Sequence, residues 1–147
     1  MNFNQKDTEK LVQAIQVAEK DTSGEIRVHI DQNLPLGSSA IDRAKIVFEQ
    51  LHMHKTEQRN GVLIYMAIKS KQFAIIGDSG IHAVVGNEFW DSISAQLTTH
   101  FKKGNFVSGI ELAILETGKK LKQFFPYQSN DVNELSNEIS MGEGFHE

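Results

Sequence analysis

Residues 61–77 read GVLIYMAIKSKQFAIIG, in which two apolar segments flank the polar tripeptide Lys69-Ser70-Lys71. The first segment, residues 61–68, carries no charged side chain and has the composition of a strand that is buried on both faces of a sheet. The second segment, residues 72–77, also has the composition of a strand. Because only three polar residues join the two, we predict an antiparallel hairpin whose first strand lies inside the sheet.

One more strand and two helices are predicted before this hairpin. Residues 25–31 alternate polar and apolar side chains, which is typical of a half-buried strand. The spacing of apolar residues predicts helices over residues 5–20 and from about residue 39 to residue 53. Since a helix connects the strand at 25–31 to the strand at 61–68, we expect the two strands to pair in parallel through a right-handed crossover.

Two further helices are predicted after the hairpin, over about residues 89–101 and 107–124. The resulting order is α, β, α, β, β, α, α. Helices must cover both faces of the sheet, because its central strand has no polar side. We therefore predict an α/β fold, a three-layer α/β/α sandwich around a mixed sheet, in a single domain over residues 1–127.

Residues 128–147 form an acidic C-terminal tail, with five Asp and Glu side chains and no Lys or Arg. So acidic a segment with few apolar residues favours a solvated terminus. Alternatively, Leu135 and Ile139 have helical spacing and would dock a last turn onto the domain.

Composition excludes several classes of function. The chain has 147 residues, a formal net charge of -4 and no cysteine, so it has no thiolate zinc site, no disulfide scaffold and no basic footprint for nucleic acid. Its N-terminal residues 1–6 are polar, and its longest apolar stretch is far shorter than a membrane span. We expect a cytoplasmic protein that contacts neither nucleic acid nor membrane.

Chain direction brings three polar clusters to one edge of the predicted sheet. The two parallel strands start at that edge and the third strand ends there, so residues 23–25, 59–61 and 77–80 should meet. Glu25, Asn60 and Asp78 would offer oxygen ligands for a divalent cation, either Ca²⁺, Mg²⁺ or Mn²⁺. The alternative interpretation is that these are ordinary turn residues beside glycine.

The same edge would also suit an anion. Gly77 and Gly80 allow close approach of the backbone, and the following helix would point its N-terminal amides at a phosphate. In that case Arg59 and a metal would bind phosphoryl oxygens, Asp78 would be the nucleophile or base, and His82 would be a further candidate acid or base.

Four segments of the chain resemble the signature blocks of TPM domains, a family that includes a thylakoid lumen phosphatase and a photosystem repair protein. The resemblance spans about residues 5–126 and is closest to short soluble bacterial members. It implies a three-layer fold and a divalent-metal site, usually for calcium, in acidic loops at one sheet edge; some plant members are acid phosphatases. The matching segments are Thr22-Ser23-Gly24-Glu25-Ile26-Arg27-Val28, Arg59-Asn60-Gly61-Val62-Leu63-Ile64, Ile75-Ile76-Gly77-Asp78-Ser79-Gly80-Ile81 and Gly104-Asn105-Phe106-Val107-Ser108-Gly109-Ile110.

The chain departs from the family pattern at two of these blocks. The second block usually ends in Asp-Asn-Gly, and here Arg59 replaces the aspartate. The third block often ends in Gly-Tyr-Gly, and here Asp78 restores an acid. These substitutions shift the expected ligands to Glu25 and Asp78.

Three functions are compatible with these patterns. The first is a metal-binding domain with Ca²⁺ as the main candidate and Glu25, Asn60 and Asp78 as ligands. The second is an interaction module for the assembly or repair of a protein complex, in which the acidic tail contacts a protein partner. The third is a metal-dependent acid phosphatase that acts on phosphomonoesters.

Overall fold

The computed structural model describes residues 3–127 and 139–142. The predicted order of elements is confirmed, with one short strand added near the C-terminus. The elements are α1 (Gln5–Glu19), β1 (Glu25–Asp31), α2 (Ala40–Gln50), a 3-10 turn (Met53–Lys55), β2 (Gly61–Ala67), β3 (Gln72–Gly77), α3 (Ser79–Lys102), α4 (Phe106–Phe124) and β4 (Ser140–Met141).

The four strands form a mixed sheet in the order β3-β2-β1-β4. Strands β1 and β2 pair in parallel, with Glu25 opposite Gly61, as the crossover argument predicts. Strand β3 is antiparallel to β2, with Val62 opposite Gly77. The starts of β1 and β2 and the end of β3 therefore lie at one edge of the sheet.

Helices cover both faces of the sheet, which confirms the three-layer architecture. On one face, α1, α3 and α4 pack against the side chains of Ile26, Val28, Val62 and Ile64. On the other face, α2 packs against Leu63, Tyr65 and Ala67. Every residue of β2 is buried, as expected for a strand without a polar side.

The prediction that β1 is half-buried is wrong, because both of its faces are covered. Its polar residues Glu25, His29 and Asp31 are only 3%, 6% and 0% exposed. Strand β1 is central, with β2 on one side and β4 on the other, and the Arg43 side chain of α2 reaches its polar face. The alternation of polar and apolar residues predicted that the polar side chains face water. Instead, they form hydrogen bonds with other side chains.

Residues 139–142 of the acidic tail join the domain. Ser140 and Met141 pair in parallel with His29 and Ile30, and the side chain of Ile139 packs against the core. The expectation of a solvated terminus is therefore wrong for these four residues. Ser140 and Met141 form a strand rather than a helical turn, while Leu135 lies outside the described residues.

The longest helix, α3, is interrupted at Gly86, which has a φ of 72° and a ψ of 179°. Glycine adopts this left-handed region without the steric cost that a side chain would add. Within the part of the chain that the structure describes, no helix combines the length and apolar character needed to cross a bilayer.

Candidate functional site

The sheet topology brings Glu25, Asn60 and Asp78 to the same edge. Glu25 begins β1, Asn60 directly precedes β2, and Asp78 directly follows β3. Backbone hydrogen bonds tie the three segments together, since Glu25 N donates to Asn60 O at 3.4 Å and Asp78 N donates to Gly61 O at 2.9 Å. All three residues are buried. The convergence expected from chain direction is therefore present in the backbone.

Asp78 forms a bidentate ion pair with Arg59. Arg59 Nε donates to Asp78 Oδ2 at 2.7 Å, and Arg59 Nη2 donates to Oδ1 at 2.9 Å. The carboxylate is buried, whereas half of the Arg59 side chain is exposed to solvent. The hydrogen bonds and the charge of Asp78 raise the pKa of Arg59 above its ordinary value. Arg59 thus binds the carboxylate of the residue that directly follows β3.

Asn60 leaves one polar atom of this edge without a protein partner. Its Nδ2 donates to Ser23 Oγ at 3.3 Å, and the side chain of Gln58 donates to the same oxygen at 3.1 Å. Asn60 Oδ1 is buried and has no hydrogen-bond donor among the described residues. Because buried amide oxygens nearly always accept a hydrogen bond or contact an ion, this atom is available to a water molecule or to a bound cation.

The oxygen ligands at this edge suit a hard cation, although the positively charged guanidinium of Arg59 already binds Asp78. Carboxylate and amide oxygens are the ligands that Ca²⁺ and Mg²⁺ take in proteins. Among residues 3–127 and 139–142, no group of three or more acidic or histidine side chains stands ready to hold a metal ion. A divalent cation at Asp78 would have to compete with the guanidinium of Arg59.

The first amides of α3, which the sequence predicts to point at an anion, are bonded within the chain. Asp78 caps the helix, since its Oδ1 accepts a hydrogen bond from Ser79 N at 2.7 Å. The next two amides, of Gly80 and Ile81, donate to Arg59 O at 2.8 and 3.3 Å. The backbone that approaches Gly80 closely is therefore that of Arg59 in the same chain. The amides of Ser79, Gly80 and Ile81 all have partners, so none of the three is free to bind a phosphate.

His82 lies at the surface of the first turn of α3. Its Nδ1 accepts a hydrogen bond from Trp90 Nε1 at 3.1 Å, so the indole fixes the orientation of the ring. Arg59, Asp78 and His82, the candidate catalytic residues, are thus engaged respectively with a carboxylate, a guanidinium and an indole. None of these contacts resembles a nucleophile hydrogen-bonded to its base.

Glu19 is a further carboxylate near this edge that the sequence does not single out. Its Oε2 accepts a hydrogen bond from Ile26 N at 2.7 Å, one residue beyond Glu25. Burial raises the pKa of Glu19 to about 7, and the hydrogen bond from Ile26 only partly offsets this effect. Nothing in the helical pattern of α1 distinguishes Glu19 from an exposed acid at a helix end.

The raised pKa of Glu19 predicts that the domain loses stability as the pH rises. The folded state keeps a proton that the unfolded chain releases above its ordinary pKa of 4.5, so this stability declines between about pH 4.5 and pH 7. We expect Glu19→Gln to be more stable than the wild type by about 2 kcal/mol at pH 8 and to be equal to it at pH 4.5. Urea unfolding at both pH values measures the difference.

Glu9→Gln provides the matched control for this prediction, because Glu9 is an exposed acid on the same helix. It should change the free energy of unfolding by less than about 0.5 kcal/mol at either pH. An equal gain from both variants would assign the effect to net charge and not to the buried carboxylate.

A second polar cluster lies beneath α2 and connects four elements of the fold. Asp31 accepts hydrogen bonds from Tyr65 Oη at 2.6 Å and Arg43 Nε at 3.0 Å. His29 Nε2 lies 2.9 Å from Asp31 Oδ1, and His29 Nδ1 lies 2.7 Å from Ser140 Oγ. The cluster therefore joins β1 to β2, to α2 and to the terminal strand β4.

The electrostatics of this cluster favour an ionised Asp31. Burial alone would raise the pKa of Asp31, but the hydrogen bonds from His29, Arg43 and Tyr65 outweigh it and hold the pKa well below its ordinary value. Burial and the hydrogen bond to Asp31 raise the pKa of Tyr65. The signal in the sequence is the spacing of His29 and Asp31 by two residues in a strand, which places both side chains on one face.

Comparisons with known proteins agree with this fold. The family model described as the TPM domain matches residues 2–120. The chain is similar to the BA42 protein of the psychrophilic bacterium Bizionia argentinensis, whose NMR structure is 42% identical over 97% of each chain, with a TM-score of 0.87. No curated protein matches the sequence significantly.

Two more distant structures share the fold alone. The N-terminal domain of a protein from P. gingivalis is 13% identical over 87% of this chain and 83% of its own, with a TM-score of 0.69. The N-terminal domain of a Corynebacterium glutamicum protein is 12% identical over 99% of this chain and 84% of its own, with a TM-score of 0.65.

Proposed function

The chain belongs to the TPM domain family, and from that premise we propose that it binds a divalent cation at the edge formed by Glu25, Asn60 and Asp78. Ca²⁺ is the proposed ion, with Mg²⁺ and Mn²⁺ as alternatives of the same oxygen chemistry. Glu25 and Asp78 would supply carboxylate oxygens, and Asn60 would supply its amide oxygen.

The observation that carries this proposal is the buried Oδ1 atom of Asn60, which has no donor within the described part of the chain. Leaving such an atom unpaired costs about 1–3 kcal/mol, so a fold that retains it gains from any ligand that satisfies it. A cation satisfies a carbonyl oxygen directly. Glu25 and Asp78, the proposed carboxylate ligands, are buried at the same edge, in segments that backbone hydrogen bonds tie to Asn60 and Gly61.

Arg59 sets the expected strength of binding. The cation must replace the guanidinium that now holds both oxygens of Asp78. A site with two carboxylates and an internal competitor binds hard cations weakly, so we expect a dissociation constant of micromolar order or weaker.

Arg59→Asn is expected to tighten Ca²⁺ binding by roughly five- to tenfold, because it removes the competing cation and leaves Asp78 in place. Arg59 has a φ of 52°, a conformation that asparagine tolerates better than arginine, so the variant should fold. The measurement is a CaCl₂ titration followed by amide chemical shifts. In the wild type and in this variant the shifts should be confined to residues 23–25, 59–61 and 77–82.

Lys71→Asn is the matched control, because it removes the same charge at another left-handed residue, with a φ of 53°, at the opposite end of the sheet. It should leave Ca²⁺ affinity unchanged, whereas Asp78→Asn should abolish binding. Equal tightening by Lys71→Asn, or no shifts in either the wild type or Arg59→Asn, would refute the proposal. Parallel titrations with MgCl₂ and MnCl₂ rank the ions.

The geometry favours the two other candidate functions less. A phosphatase at this edge would need anion-binding amides that are already bonded to Asp78 and to the carbonyl of Arg59. An interaction module that captures a protein through its acidic tail stays a prediction, as does the division between residues 1–127 and 128–147.

A further inference from the structure

A cavity of about 340 Å³ opens at the end of the sheet opposite the proposed cation site. Its floor is apolar and consists of Met66, Ile68, Phe101 and Phe106, three of which are almost fully buried. The volume is within the range of cavities that hold small organic ligands. The cavity lies between the β2–β3 turn and the junction of α3 with α4.

The rim of this cavity carries positive charge without a compensating acid. Lys69, Lys71 and Lys102 line it, and no carboxylate is among its lining residues. Within residues 3–127 and 139–142, none of the three lysines forms an ion pair. An apolar floor beneath a cationic rim is complementary to a molecule that is apolar at one end and anionic at the other.

The first turn of α4 adds to the positive potential of the cavity. Gly104 and Phe106 line the cavity, and Phe106 is the first residue of α4. The N-cap residue Asn105 makes no side-chain hydrogen bond, and the first turn contains no acidic residue. The partial positive charge of this helix end is therefore not neutralised by its own cap.

A second apolar groove offers a comparison in which the charge of the lining residues differs. It lies between α1 and α4 and is also largely apolar, with Val17 and Leu115 among its lining residues. Two lysines and one carboxylate line this groove, and Lys119 is 3.3 Å from that carboxylate, Glu116. The groove is thus less positive than the cavity at the β2–β3 turn, which has three lysines and no carboxylate, and it serves as an internal comparison.

We propose that the cavity at the β2–β3 turn binds a small amphipathic anion, an apolar chain or ring that carries one carboxylate. The apolar part lies against Phe101 and Phe106, and the carboxylate faces the lysines of the rim. This site is independent of the cation site, since the two lie at opposite ends of the sheet.

The test is a titration of the full chain with decanoate, followed by amide and methyl chemical shifts, with decanol and acetate as matched probes. We expect saturable decanoate shifts at residues 66–71 and 101–107, with a dissociation constant below about 1 mM. Decanol and acetate should each bind at least about fivefold more weakly, because each lacks one half of the required chemistry. Raising the salt concentration should weaken decanoate binding and leave decanol binding unchanged.

The variant Lys69→Gln/Lys102→Gln should weaken decanoate binding at least about fivefold without changing decanol binding. Both side chains are exposed, so this variant should fold. Lys119→Gln/Lys122→Gln removes the same charge at the comparison groove and should have no effect. The proposal is overturned if decanoate shifts centre on residues 17–18 and 112–123, if decanol binds as tightly as decanoate, or if the two double variants behave alike. Binding to vesicles of anionic lipid without any response to free decanoate would also overturn it.

Discussion

Asp31→Asn is expected to destabilise the fold by about 3–5 kcal/mol, the largest effect of any single substitution proposed for this protein. Asp31 is fully buried and accepts hydrogen bonds from Tyr65, Arg43 and His29. An asparagine of the same shape lacks the charge and replaces one acceptor oxygen with a donor. The guanidinium of Arg43 would then lose its ion pair in a poorly solvated place.

Urea unfolding at neutral pH measures this loss, and Asp91→Asn, at an exposed position of α3, is the control. The control should change the free energy of unfolding by less than about 0.5 kcal/mol. Hydrogen exchange gives a second reading, because Asp31 and His29 also hold the terminal strand. Gly142 N, which donates to Ile30 O at 3.1 Å, should lose protection in Asp31→Asn.

The pH dependence of the two proteins provides a further check on Asp31. Because the pKa of the folded carboxylate is lowered, its stabilisation is present above the ordinary pKa of 3.8 and is lost as the pH falls below it. The wild type should therefore lose stability more steeply in acid than Asp31→Asn. Equal slopes, together with a loss below about 1 kcal/mol at neutral pH, would show that the cluster does not stabilise the fold.

Gly80→Ala is expected to cost about 3 kcal/mol, although helix propensity alone predicts a gain of about 1 kcal/mol for this change. A Cβ atom at residue 80 would overlap Gln58 O and lie 2.7 Å from Arg59 O. Both contacts are with backbone, so the loop before β2 would have to move. That movement would also break the hydrogen bond from Gly80 N to Arg59 O.

Thermal or urea unfolding measures this effect, with Ser79→Ala as the control in the same helical turn. Ser79 is exposed, so its truncation should change stability by less than about 0.5 kcal/mol. Gly80→Ala should in addition weaken Ca²⁺ binding, since Arg59 and Asn60 belong to the displaced loop. A stability equal to or above that of the wild type would contradict the tight packing of this loop on α3.

Much of the candidate site follows from chain direction. A hairpin turn of only a few residues requires antiparallel strands, and a helical connection favours parallel ones, so Glu25, Asn60 and Asp78 had to approach one edge. The pairing of Asp78 with Arg59 does not follow from this argument. It depends on the left-handed conformation of Arg59, which local sequence preferences disfavour for arginine.

Local sequence patterns predict the α/β class, the order of the elements and the pairing of β1, β2 and β3. They do so because apolar periodicity and turn length depend on only one or two neighbouring elements. The hydrogen-bond partners of the buried polar groups, in contrast, depend on contacts between residues far apart in the chain. Asp31 meets Arg43, Tyr65 and His29, and His29 in turn meets Ser140 across more than a hundred residues. The alternating polar residues of β1 therefore predicted a face that is exposed to solvent. Instead, the side chains of Arg43, Tyr65 and Ser140 contact that face, because the burial of a polar side chain is set by the partners that the whole fold brings to it.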